Sequence, residues 1–124
     1  INMAEALKAQ FEEELGKLKQ LDKDREKYIN NRQQLESQLT ENTLVKDEMV
    51  LLDDDTTVYK LIGAALVKQD LTEARANVEK RIEYINSEMK RVEDALSDFA
   101  TKQTEQKEKL MALQEKFKNL ASQK

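Results

Sequence analysis

The sequence predicts a mostly α fold: a long antiparallel two-helix coiled coil joined by a single β-hairpin that takes its partner strands from other chains. Three observations predict it. The composition is 37 % charged and 5 % aromatic, with no proline, cysteine, histidine or tryptophan, a profile of long helices rather than an ordinary globule. Two long stretches repeat apolar residues at alternating four- and three-residue steps, the heptad spacing. One stretch near the middle, residues 56–69, departs from that pattern and carries β-branched and aromatic residues instead. All 124 residues are read as one domain, with a helix at about 3–52, a hairpin at about 56–69 and a second helix at about 71–122.

The first helix has an imperfect seam. Its heptad positions run Leu7, Phe11, Glu14, Leu18, Leu21, Arg25, Tyr28, Arg32, Leu35, Leu39 and Asn42. Glu14, Arg25 and Arg32 interrupt it, so loose packing is expected in the middle. Asn42 falls on the seam near the hairpin, where a buried amide fixes register at some cost in stability; an orientation toward water is the other reading. Asp53-Asp54-Asp55-Thr56-Thr57 stops the helix, because consecutive aspartates at a helix C-terminus oppose the macrodipole. The same aspartates do not form an EF-hand calcium loop, which would need glycine where Val58 stands and glutamate where Ala64 stands.

Gly63 and Ala64 suit a two-residue type II′ turn, which wants glycine at its first central position. The register that follows pairs Ile62 with Ala65, Leu61 with Leu66 and Lys60 with Val67. Val58, Ile62, Ala65 and Val67 then share one face, and Tyr59, Leu61 and Leu66 share the other. A lone two-stranded hairpin is marginal in water, and one apolar on both faces is worse. The sequence offers no further strand. Either the hairpin folds against its own helices or strands from other chains complete it, and the second reading is preferred.

Asp70 as N-cap with Glu73 at the capping-box position starts the second helix. Its seam is the stronger one: Leu71, Arg75, Val78, Ile82, Ile85, Met89, Val92, Leu96, Phe99, Gln103, Gln106, Leu110, Leu113, Phe117 and Leu120, twelve of fifteen apolar. Each helix would reach ~75 Å at 1.5 Å per residue. Folding back at the hairpin brings Leu7 near Gln114, Phe11 near Leu110 and Leu39 near Ile82, with both termini at the end away from the hairpin. Residues 100–109 carry no large apolar side chain. Beyond them Leu110, Met111, Leu113, Phe117 and Leu120 cluster opposite Met3, Leu7 and Phe11. Two strands alone cannot bury every side of such a cluster, and methionine and phenylalanine suit irregular partners. An adaptable binding tip is the preferred reading; a simple closing of the coiled coil's end is the alternative.

Missing residue types exclude much chemistry. Without cysteine or histidine there is no disulfide, thiolate nucleophile, Ser-His pair or zinc site of the usual kind. The net charge of −4 is spread along the chain, so nucleic-acid binding has no basic stripe to rest on. No apolar run approaches the ~20 residues of a membrane span, and a soluble protein of the cell interior is expected. The chain begins at Ile1 rather than Met, and a few leading residues are expected before it. Helical coiled coils offer no concave pocket in which carboxylates acquire shifted pKa values, so an enzyme is not expected, nor a cofactor. Net acidity and a narrow seam argue against a membrane-surface helix.

The segments Gln38-Leu39-Thr40-Glu41-Asn42, Val58-Tyr59-Lys60-Leu61-Ile62-Gly63, Leu66-Val67-Lys68-Gln69 and Glu73-Ala74-Arg75 resemble the β-class subunits of prefoldin, and within that class the eukaryotic subunit 6 branch. The likeness is most specific from Leu35 to Leu96; outside that span it rests on heptad pattern and length. One departure is Ala64, where related chains often carry proline after the turn glycine. The resemblance implies a hetero-hexamer of α₂β₄ type in which each β-class hairpin completes an intersubunit β-barrel. It implies an ATP-independent chaperone of the cytoplasm that captures unfolded or nascent proteins such as actin and tubulin and delivers them to the group II chaperonin. Carried onto this sequence, subunit assembly falls to Val58, Tyr59, Leu61, Ile62, Leu66 and Val67. Client binding falls to the tip residues Leu7, Phe11, Leu110, Met111, Leu113 and Phe117. The rival from another class is a coiled-coil tether or adaptor, which explains the heptads and leaves the hairpin unexplained.

Overall fold

The computed structural model describes residues 1–123 and contains, in chain order, helix α1 (Met3–Val50), strands β1 (Val58–Ile62) and β2 (Ala65–Gln69), and helix α2 (Leu71–Ser122). Asn2 caps α1: its Oδ1 accepts the Glu5 backbone N–H at 2.8 Å, and its Nδ2 donates to Glu5 Oε1 at 3.4 Å. Such a cap is worth about 1 kcal/mol against alanine. The helix stops at Val50, slightly before the expected end at about 52. The N–H groups of Leu51 and Leu52 reach only three residues back, to the Glu48 and Met49 carbonyls, so the last turn tightens and cannot continue. A turn closed by Thr56 N–H on the Asp53 carbonyl follows. At the far side of the hairpin, the Asp70 carbonyl accepts the Ala74 N–H at 2.8 Å and opens α2.

The two strands pair antiparallel in the expected register, Ile62 with Ala65, Leu61 with Leu66 and Lys60 with Val67. Gly63 adopts a φ of 60°, while Ala64 stays at negative φ. That combination belongs to a type II′ turn and rules out type I′, which needs positive φ at both central residues.

The chain divides into two compact units, and both helices contribute to each. In the hairpin unit, Arg32–Arg91, the buried residues are Leu35 of α1 and Leu71, Ala74, Val78 and Ile85 of α2. Asn42 answers to neither simple reading. It is half-buried, its Nδ2 donates to the Gln38 carbonyl at 2.7 Å, and its Oδ1 accepts from Arg81 of α2 at 3.4 Å. Its amide is thereby satisfied across the seam.

In the terminal unit, Ile1–Asn31 together with the chain from Val92 on, Val92 is fully buried and Leu110 and Leu113 nearly so. Burying a valine to that degree contributes roughly 1.5–3 kcal/mol. Tyr28 of α1 meets Phe99 of α2 with ring centroids 5.3 Å apart and planes tilted by 54°, a tilted pair worth roughly 0.5–1.5 kcal/mol beyond its area. Two glutamines of α2 cross the seam: Gln103 donates to Asp22 at 2.6 Å, and Gln106 donates to both the carbonyl and the carboxylate of Glu14. The α1 seam shifts by one position here. Arg25, expected on it, is exposed, and Asp24 is half-buried in its place. A charged seam residue gains nothing from burial, so no apolar contact holds the heptad phase at that point.

Candidate functional site

Two surfaces collect the side chains that the sequence singles out, one in each unit. The first is the hairpin. Of Val58, Tyr59, Leu61, Ile62, Leu66 and Val67, Val58 is half-buried and the other five are exposed. Leu61 and Leu66, opposite each other on one face, keep 68 % and 69 % of their surface in water. Ile62 and Val67 are likewise exposed on the other face. The chain's own helices therefore do not cover the hairpin, and the folded-back alternative does not hold. Among the described residues the sheet has two strands, so each strand presents an outer edge of unpaired N–H and C=O groups.

The second surface is a groove of about 490 Å³ in the terminal unit, between the first turns of α1 and the last turns of α2. Leu7, Phe11, Leu15, Leu113 and Phe117 line it, with Lys8, Glu12 and Gln114 among its polar residues. Leu7 and Gln114, expected near each other, share this groove. The six tip residues separate into three groups. Leu7, Phe11, Leu113 and Phe117 meet at the groove; Leu110 is buried in the seam behind it; Met111 lies outside the groove with 68 % of its surface exposed. Leu113 is itself a buried wall rather than an open contact. Leu15 escaped the heptad reading because it sits one residue past Glu14, on the flank of the seam. Its apolar character beside a charged seam position was the available signal.

Below the groove, Glu14 and Gln106 form a polar contact within the seam. The Gln106 amide is the main cause that holds the Glu14 carboxyl below its ordinary value; a hydrogen bond from Lys17 at 3.2 Å adds to it, and partial burial opposes it. Gln106 is buried, yet among the described residues no buried side-chain polar atom lacks a partner. Among the same residues, no group of three or more His, Cys, Asp or Glu is placed to hold a metal, and no helix is long and apolar enough to cross a membrane.

Comparison with known proteins places this architecture. The family model described as "Prefoldin subunit" matches residues 12–117. The "Probable prefoldin subunit 6" of Caenorhabditis elegans is 56 % identical over 113 residues, covering 91 % of this chain and 90 % of that protein. The human "Prefoldin subunit 6" is 46 % identical over 122 residues, with 98 % and 95 % of the two chains covered. Among solved structures, the prefoldin beta subunit from Thermococcus strain KS-1 superposes with a TM-score of 0.77 at 25 % identity, covering 83 % of this chain and 90 % of that one.

Proposed function

The chain belongs to the prefoldin family and is a chaperone subunit rather than an enzyme, and from that premise we propose that it serves as a β-class subunit of a hetero-hexameric, ATP-independent holdase. In this reading the whole chain acts as one prefoldin-like domain. Its hairpin, through Val58, Tyr59, Leu61, Ile62, Leu66 and Val67, joins strands of other prefoldin subunits in a shared β-barrel. The terminal groove holds unfolded or nascent proteins such as actin and tubulin, working in the cytoplasm and handing them to the group II chaperonin.

The observation that carries the assembly half is the hairpin's exposure on both faces, which a solitary chain leaves in water at a cost of about 25 cal/mol per Å² of apolar surface. A plain tether has no use for such a surface. Client holding rests on the groove, which Phe117 lines, and on Met111, exposed outside it. Six such sites acting together raise avidity while each remains weak, which suits a carrier that must release its cargo.

Removal of residues 1–12 and 109–124 tests the second half. The trimmed chain is expected to enter the complex as the full chain does and to lose suppression of a denatured client's aggregation. Equal protection by the trimmed complex would place client binding elsewhere.

A further inference from the structure

Exposed apolar surface in this chain does not end at the hairpin. Fifteen large apolar side chains are exposed among the described residues, and ten of them fall between Leu44 and Val67. Five of the ten belong to the hairpin; the other five, Leu44, Val45, Val50, Leu51 and Leu52, lie on the last two turns of α1 and the two residues after it. At 100° per residue, Leu44 and Glu48 fall on the side of α1 opposite Leu35, Leu39 and Asn42, which face α2, and Leu51 follows just past the helix end. Leu44 keeps 60 % of its surface exposed and Leu51 83 %. This is a second apolar face, turned away from the seam and continuous in sequence with the strands. Its rim is acidic: Glu41, Asp47, Glu48 and Asp53 to Asp55 stand against a single lysine, Lys46, over residues 41–55.

We propose that this face of α1 is a lateral arm of the assembly interface, covered by a helix of the neighbouring prefoldin subunit that carries apolar side chains flanked by lysine or arginine. The proposal rests on the reading that the hairpin joins a shared sheet. An antiparallel strand added at the outer edge of β1 lies about 4.8 Å from it and ends beside Val58, where β1 begins. The helix that follows an added strand therefore emerges beside the root of α1, where Leu44 and Leu51 stand uncovered. A basic flank on that helix is selected by the carboxylate rim, and an acidic one is repelled. Tyr84, exposed on α2, the other helix of the same unit, serves as a control.

The chain has no cysteine, so single thiols report on the face directly. Leu44→Cys and Leu51→Cys are each introduced into the full chain, and alkylation by N-ethylmaleimide is followed by mass with the chain free and co-assembled with the other prefoldin subunits. Both thiols are expected to react about tenfold more slowly in the complex, because a covered thiol is reached only after local opening, whereas Tyr84→Cys reacts alike in both. The double variant Leu44→Ser/Leu51→Ser, whose exposed sites leave the isolated fold intact, is expected to lower co-assembly affinity by about tenfold. Glu48→Lys is expected to lower it in low salt and not in high salt.

An unchanged labelling rate for Leu44→Cys in a complex that Leu61→Asp prevents from forming overturns the lateral arm and leaves the hairpin reading standing. Normal assembly by Leu61→Asp overturns the hairpin reading and the arm with it. Protection of Leu44→Cys in the chain alone would identify a second copy as the occupant, and protection that appears only when a denatured client is added would identify the client; either result overturns the proposal.

Discussion

The guanidinium of Arg75 caps the end of α1 by donating from Nε and Nη2 to the Met49 carbonyl, at 3.3 and 2.8 Å. Nη2 also donates to the Leu52 carbonyl at 3.0 Å. A seam position that breaks the apolar pattern of α2 thus reinforces the Met49 carbonyl, which also accepts the Leu52 N–H, and supplies a donor to the Leu52 carbonyl where the first helix ends. The planar fork of arginine spans both carbonyls at once, which a lysine cannot do. Asp54 approaches the same guanidinium at 3.5 Å, but its side chain is fully exposed and adds little.

Arg75→Ala is expected to destabilise the isolated chain by about 2 kcal/mol, the range for hydrogen bonds made by a charged group. Arg75→Lys should recover only part of that loss. Urea unfolding followed by circular dichroism measures both, and an alanine variant as stable as the native chain would show that the cap is idle.

The Glu14 contact makes the terminal unit sensitive to acid. Because its carboxyl titrates lower in the folded chain than in the unfolded one, the stabilisation is complete above the unfolded glutamate value of about 4.3. It fades as pH falls through the lowered folded value. Glu14→Gln keeps an acceptor for Gln106 without the charge. Melting temperatures between pH 7 and 3 are expected to fall less steeply for this variant than for the native chain; parallel curves would assign the acid response to other carboxylates.

Gly63 holds the hairpin turn at a positive φ with open space where a Cβ would stand. Any cost of substitution is therefore conformational rather than steric crowding by neighbours. Gly63→Val should cost roughly 1–2 kcal/mol and Gly63→Asn less, since asparagine tolerates that region better. Co-assembly titrations with partner subunits would show the order glycine, asparagine, valine; equal affinities for all three would mean that the turn does not limit assembly.

The hairpin was the most legible part of the chain, because a glycine between β-branched residues fixes turn type and register together. The seam of α2 was nearly as clear, since its apolar residues recur without a change of phase. Phe117 is the exception, half in water where the groove opens. Legibility failed where burial and hydropathy part company. Ala74 is buried at the foot of α2, but alanine carries too weak an apolar signal to mark a core position. Arg25 and Asp24 exchange places because neither has an apolar side chain to anchor the heptad. Gln106 and Glu14 were both visible as polar seam positions, and the register that sets Phe11 near Leu110 puts them close together; the hydrogen bonds between them were not readable from spacing. The exposed apolar residues at and just past the end of α1 were hidden because Leu44 and Leu51 have no place in a two-helix seam.

Chaperone assembly through the hairpin is tested most directly by the native mass of the purified chain, alone and mixed with the other prefoldin subunits, for the native sequence and for Leu61→Asp. The native chain is expected to give no stable oligomer alone and one six-chain species with its partners. The aspartate, an unpaired charge on a surface that must become buried, is expected to abolish that species. A stable homodimer that ignores the partners, or a hexamer that accepts Leu61→Asp unchanged, would contradict it.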